Sequence, residues 1–352
     1  MGLLDETISA IGPLDQEAMA AARDRFQHLY LGMGNLGKME DMVVQYAGVT
    51  GSAQIEVPKR CMVIASADHG VARHNISAYP ISTTVGMTKN YLISKGAGAN
   101  AMAAYCNTDM VVVDMGIAAD MTGTPGLLDR KIAWGTDDFS EGPAMSREQA
   151  IQAVETGIEI AEEKVKEGYR AFLVGEMGIS NTASAACIIG AFNHWNAIQV
   201  TGRGTNISDE RLRRKVALVQ QALDVNQPNP ADGLDVLAKV GGFEFGCLIG
   251  VMLGAAANHS LTVIDGFNTT ACAFVARALA PESVHYLMAS HRSEEQAHKK
   301  SLEALGLSEY VDLGFRLGEA SGASIQMKML DSALLVYKEC ATEEEIHEGA
   351  QK

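Results

Sequence analysis

Two glutamates stand in glycine turns, where glutamate is a poor turn former. Glu176 lies within "LVGEMGISNTASAA" (173–186) and Glu319 within "RLGEASGA" (316–323). A strand, a glycine turn and an alanine-rich helix normally cradle a phosphate with free backbone N–H groups and the positive end of the helix. A carboxylate in the middle of that turn repels an anion. It suits instead a centre that gains positive charge or surrenders a proton. Cations for an anionic group are on hand in Arg203, Lys215, Arg292 and Arg316, each also readable as a solvated surface charge. Asp68, Asp114 and Asp265 follow apolar runs, where an aspartate serves equally as a helix cap or turn residue.

The histidines allow a second chemistry. Asp68, His69 and His74 lie close together and His291 follows another apolar run. Such a set could bridge metal ions in a hydrolase. No H-x-H or H-E-x-x-H pair accompanies it, and a lone turn histidine is commonly a hydrogen-bonded structural residue.

These residues need a scaffold. Short apolar runs recur at 61–67, 110–116, 171–175, 197–202, 261–266, 284–290 and 310–318. Each is followed by a short polar turn, and amphipathic helices lie between them. Continuous rather than alternating apolar runs indicate strands covered on both faces. The alternation predicts an α/β fold with an open parallel sheet, whose ligands bind beyond the carboxyl ends of the strands. Ser146 with Gln149 predicts a capping box that starts a helix, and Gly168 its stop. "FGCLIGVMLGAAAN" (245–258) predicts a buried helix in which Gly246, Gly250 and Gly254 admit a close neighbour. Residues 1–55 read as helical, and the acidic tail from Cys340 is expected to fray.

The 352 residues carry a net charge of −15, which disfavours nucleic acid and anionic membranes as partners. Six scattered cysteines without a C-x-x-C pair predict a reduced, cytoplasmic protein. The N-terminus lacks the basic and apolar regions of a signal peptide, and no stretch predicts a membrane span.

Six motifs occur in order: "ADHGVARHNISAYP" (67–80), "GEMGISNTASAA", "GRGTNISDERLRRK" (202–215), "DGFNTTACAFVA" (265–276), "SHRSEEQAH" (290–298) and "RLGEASGA". Together they resemble the nicotinate-nucleotide:dimethylbenzimidazole phosphoribosyltransferase family, over residues 60–325. The resemblance implies a Rossmann-like large domain (30–300), a small helical domain from both chain ends (1–29 and 301–352) and a dimer, with no metal or organic cofactor. It implies transfer of the 5-phosphoribosyl group of nicotinate mononucleotide to an aromatic base, with inversion, giving an α-riboside 5′-phosphate and nicotinate. Glu319 then matches the base that deprotonates the acceptor, and Glu176 the second active-site carboxylate. Gly178, Gly204, Lys215, Asp265, Ser293 and Arg316 match the nucleotide-binding positions.

The chain departs from the family pattern. "GEASGA" replaces the usual "GEGTGA", "SNTA" replaces "GNTT", and "ISTTVGM" (81–87) replaces "QEVTAQM", so Gly86 stands where many members have glutamine. With Tyr79, Met87 and Met177 lining the acceptor side, an apolar phenol or p-cresol fits better than a benzimidazole with its second nitrogen. Relatives that activate phenols work as heterodimers of two paralogues, so a homodimer and a heterodimer both stand as expectations. A metal-dependent hydrolase on Asp68, His69 and His74, and a non-catalytic regulatory paralogue, are the competing readings.

Overall fold

The computed structural model describes residues 2–31 and 34–349. Six parallel strands form one sheet: β1 (Arg60–Ala67), β2 (Asp109–Gly116), β3 (Leu127–Asp129), β4 (Ala171–Met177), β5 (Leu261–Ile264) and β6 (Leu287–Met288). Their order is β3-β2-β1-β4-β5-β6. The chain therefore builds outward from β1 in one direction and then restarts at β4 on its other side. The crevice at that reversal, beyond the carboxyl ends of β1 and β4, is where open α/β sheets bind ligands. All eight residues of β1 are buried, as the continuous apolar run requires.

Two helices on one face, Arg147–Lys166 and Phe243–Ala257, pack almost backbone to backbone. A Cβ on Gly250 would lie 1.9 Å from the Val154 carbonyl oxygen, and one on Gly157 1.9 Å from that of Cys247. The predicted capping box is present: the Ser146 hydroxyl accepts from the Gln149 N–H, and the Gln149 side chain accepts from the Ser146 N–H. Gly168 takes φ +91° just past the helix end.

The chain ends meet. The Arg25 guanidinium, in the helix Gln16–His28, donates to the carbonyls of Tyr337 and Lys338 near the end of the helix Ser321–Glu339. That long helix is also tied to the start of β1 by a two-point Arg60–Asp331 pair at 3.0 and 2.8 Å. Among the described residues no helix is long and apolar enough to cross a membrane. All six cysteines are free, five of them buried.

Two expectations are corrected and one is narrowed. The run at 197–202 is not a strand: Ala197–Val200 is a short helix, because Asn196 and Gln199 form a reciprocal cap. The run at 284–290 adds only a short strand to the main sheet, and the run at 310–318 lies outside it. Within the first, a 3₁₀ turn (Pro281–Tyr286) leaves β6 two residues long. Within the second, β8 (Val311–Phe315) pairs with β7 (His291–Ser293) in a separate two-stranded sheet. The tail carries a short helix, Glu343–Gly349. There Thr342 and Glu345 cap each other's backbone N–H groups. Residues 350–352 of the tail, and residues 1, 32 and 33 of the N-terminal segment, lie outside the described residues.

Candidate active site

A cavity of about 910 Å³ opens beyond the carboxyl ends of β4 and β5. Its wall includes Tyr79, Met87, Glu176, Met177, Gly178, Gly204, Asp265, Ser293, Arg316 and Glu319, so residues up to 240 positions apart in sequence converge on one space. Lys215 is the exception. It is buried beside Gly204, with its ammonium donating to Thr182 Oγ1 (2.8 Å) and the Gly202 carbonyl (3.1 Å). The side chain therefore sits in the protein interior, while Thr182 takes the position on the cavity wall. Burial lowers the Lys215 pKa, against the opposing pull of Glu295. Gly86 also lies off the wall, although Thr83 and Met87 on the same helix (Thr83–Lys89) line it. A Cβ on Gly86 would meet nothing within 4 Å.

Glu319 is delivered by an unusual stretch of backbone. Gly318, Glu319 and Ala320 take φ +80°, +59° and +57°, a left-handed run that only the first tolerates freely. Surrounding packing enforces it. The loop lies so close to β4 that a Cβ on Gly175 would come within 2.7 Å of the Ala320 nitrogen. A Cβ on Gly318 would lie 3.4 Å from Glu176 Oε1, which puts the two glutamate-bearing turns side by side. Glu319 is 7% exposed. Its Oε2 accepts from the Ala99 N–H at 3.2 Å. Burial pushes its carboxyl upward, opposed by the Ala99 N–H and the Tyr91 hydroxyl.

Glu176 ends β4 half-buried, with Asn181 donating to its Oε2. Burial drives its pKa up to about 7, Asn181 resisting and the Glu244 carboxylate adding to the rise. Asp265 stands just past β5 and caps the helix Ser321–Glu339 from outside: its Oδ1 accepts from the N–H groups of Gly322 (2.7 Å) and Ala323 (3.2 Å). Burial raises its pKa to about 6. Three carboxylates with suppressed ionisation thus line one wall. Such a wall favours positive charge on a ligand and holds a group able to take a proton near neutral pH.

The opposite end is less cationic than the sequence suggests. Arg203 pairs with Asp209 and Arg292 with Asp312, both on the surface. Arg316 lines the cavity, while the Gly204 N–H is taken by Glu295 Oε1 at 2.7 Å. Asp114 is structural, accepting from the Ile117 N–H and pairing with Lys131.

The histidine cluster does not converge. His69 Nε2 bonds Glu244 Oε1 at 2.7 Å, whereas His74 bonds Asp138 at 2.7 Å and Asp68 accepts from the Ala118 N–H. His291 stacks on Phe315. Among the described residues no three His, Cys, Asp or Glu side chains group as a metal site. Sequence reasoning passed over Asn181, Asn268, Glu244 and Glu295. Asn181 was visible inside the glycine-turn motif, whereas Glu244 and Glu295 act through contacts with residues over 60 positions away.

A family model described as phosphoribosyltransferase matches residues 11–347. A nicotinate-nucleotide–dimethylbenzimidazole phosphoribosyltransferase of Chloroflexus aggregans is 46% identical over 342 residues, 97% of each chain. One bearing the same name from Geobacter sulfurreducens is 42% identical over 98% of each chain. The crystal structure of the Thermus thermophilus enzyme of that name superposes with a TM-score of 0.89 at 36% identity, covering 95% of this chain and 99% of the other. With the family model, the relatives and the superposed structure in agreement, the chain belongs to the nicotinate-nucleotide–dimethylbenzimidazole phosphoribosyltransferase family and is a phosphoribosyltransferase.

Proposed function

We propose that this enzyme transfers the 5-phosphoribosyl group of nicotinate mononucleotide to an aromatic acceptor, with inversion at the anomeric carbon and Glu319 as the base. The observation that carries the reading is the adjacency of two carboxylate-bearing turns, at Glu176 and Glu319, in one cavity beyond the carboxyl ends of β4 and β5. The leaving group is a pyridinium and departs as a neutral ring, so no general acid is required. The acceptor, in contrast, must lose a proton. Glu319, with its ionisation suppressed by burial, is suited to take it, a contribution of about 10²–10⁴-fold. Positive charge grows on the ribose as the bond breaks, and Glu176 stabilises it. Inversion follows from attack on the face opposite the departing ring.

Gly178, Gly204, Ser293 and Arg316 receive the ribose and phosphate. Lys215 contributes charge from behind the wall, where its ammonium donates to Thr182. Phosphate binding requires Glu295 to release the Gly204 N–H. Asp265 holds the catalytic loop through the helix it caps. A small helical unit (1–29 and 301–352) on a nucleotide-binding body (30–300) presents that loop; the Arg25 contacts to Tyr337 and Lys338 support the pairing of chain ends.

The acceptor is a phenol. Met87 and Met177 offer polarizable apolar walls, and Gly86, off the wall and without a side chain, supplies no polar group for a second ring nitrogen. Tyr79 and Leu317, 56% and 55% exposed on the cavity wall, accord with a dimer whose second chain, a copy or a paralogue, covers the mouth. The free cysteines accord with a cytoplasmic setting. The test is a competition between p-cresol and dimethylbenzimidazole at equal concentration, with nicotinate mononucleotide and mass-spectrometric identification of the riboside phosphate. The p-cresol product should dominate, and Glu319→Gln should lower kcat by about 100-fold or more with nucleotide binding retained. A dominant benzimidazole product overturns the phenolic assignment. Undiminished turnover in the variant overturns the base.

A further inference from the structure

Beside Glu176 a chain of polar side chains runs into the protein interior. The Asn181 amide bridges two carboxylates, its Nδ2 donating to Glu176 Oε2 and, at 3.4 Å, to Glu244 Oε1. Its orientation is fixed from the other side, because Asn181 Oδ1 accepts from Asn268 Nδ2 at 3.0 Å. Glu244 is wholly buried in the first turn of the helix Phe243–Ala257, and His69, equally buried just past β1, meets it at 2.7 Å.

The pair has no room to relax. A Cβ on Gly178 would lie 3.3 Å from both Glu244 Oε1 and His69 Cδ2; one on Gly242 would lie 2.5 Å from Glu244 Oε2 and His69 Cε1. Two glycines therefore close on the pair from either side. An isolated buried carboxylate is strongly unfavourable, and a partner charge offsets that cost. The reaction as drawn touches neither residue, so the pair calls for another role.

We propose that the buried His69–Glu244 pair is the positioning unit for Glu176: Glu244 holds the Asn181 amide with its NH₂ toward both carboxylates, and His69 keeps Glu244 ionised in the interior, so that the negative end of the pair faces Glu176. The inference rests on Glu176 being the carboxylate that meets the ribose. Glu176 is faced by Glu244 and His69, by Asp265 from the end of β5, by Glu319 from the neighbouring loop and by Tyr91; Asp68 faces His69. Burial by itself pushes the His69 imidazole down, but Glu244 and Asp68 outweigh it and raise its pKa. Glu244 in turn raises that of Glu176.

The test compares pH profiles of kcat/KM for the wild type, Glu244→Gln and Glu244→Asp, with ¹⁵N NMR of the histidines in the wild type. Removing the Glu244 charge should move the acid limb down by about one pH unit. Loosening Asn181 should lower the plateau kcat about tenfold. The nucleotide KM should change much less, and Glu244→Asp should restore the wild-type limb. In the wild type, His69 should be doubly protonated at about pH 7. An unmoved limb in Glu244→Gln, or a neutral His69 at that pH, overturns the proposal, and the NMR measurement decides should the variant fail to fold. A Glu176→Gln control separates the two readings. Full activity there removes the catalytic role of Glu176 itself, while lost activity with an unmoved limb in Glu244→Gln removes the positioning role alone.

Discussion

At the scale of single residues, the site holds its acids in an unfavourable state. A carboxyl whose folded pKa is raised to about 7 binds its proton more tightly in the native state than in the unfolded chain. Stability is therefore fullest below the unfolded value near 4.5, falls as pH rises through 7, and stays reduced above it. Glu176→Gln removes that penalty. At about pH 8 it should raise the unfolding free energy by about 2 kcal/mol, read as a higher Tm, while turnover collapses. Equal Tm values for variant and wild type at that pH would contradict the burial argument. The residue scale is also where the sequence was most informative. Glu176 and Glu319 stood out because glutamate gains nothing in a glycine turn unless the turn needs its charge. Lys215 was harder to place: a lysine beside a glycine motif looks like a direct anion ligand, and nothing local reveals that its ammonium donates to Thr182 and Gly202.

At the scale of elements, most of the scaffold could be read in advance. Buried strands announce themselves as unbroken apolar runs, and the start of the helix at Arg147 by its capping pair. Element edges and partners were harder. "AIQVTG" is apolar enough for a strand, but Asn196 and Gln199 cap each other and turn it into one helical turn. No periodicity distinguishes a strand of the main sheet from β8, whose partner lies about twenty residues upstream in a sheet of its own. The glycine spacing in the helix Phe243–Ala257 was legible as a packing face, and its neighbour makes the strongest stability test. Gly250→Ala forces a methyl group against the Val154 carbonyl and should destabilise by about 3 kcal/mol in urea unfolding. Gly142→Ala, at an open position, should behave as wild type.

At the scale of the whole molecule, the site is an assembly of strand ends and one long helix. Asp265 joins them, since its carboxylate, just past β5, caps the helix that begins two residues after Glu319. Asp265→Ala removes a cap worth about 1 kcal/mol. The Gly322 and Ala323 amides should then exchange with solvent about fivefold faster while those of β1 and β4 keep their protection; uniform acceleration throughout the sheet would show a global defect instead. A capping role for Asp265 was among the readings its sequence position allowed, but not the helix it caps, because the carboxylate bonds backbone N–H groups 57 residues away that carry no side-chain signature. The helix itself spans roughly 28 Å. At its far end the Tyr337 and Lys338 carbonyls are gripped by Arg25, and midway Asp331 is gripped by Arg60. Glu319 is thus mounted on the tip of a lever whose handle lies at the opposite pole. A tag or truncation that disturbs that pole should displace Glu319 without entering the cavity.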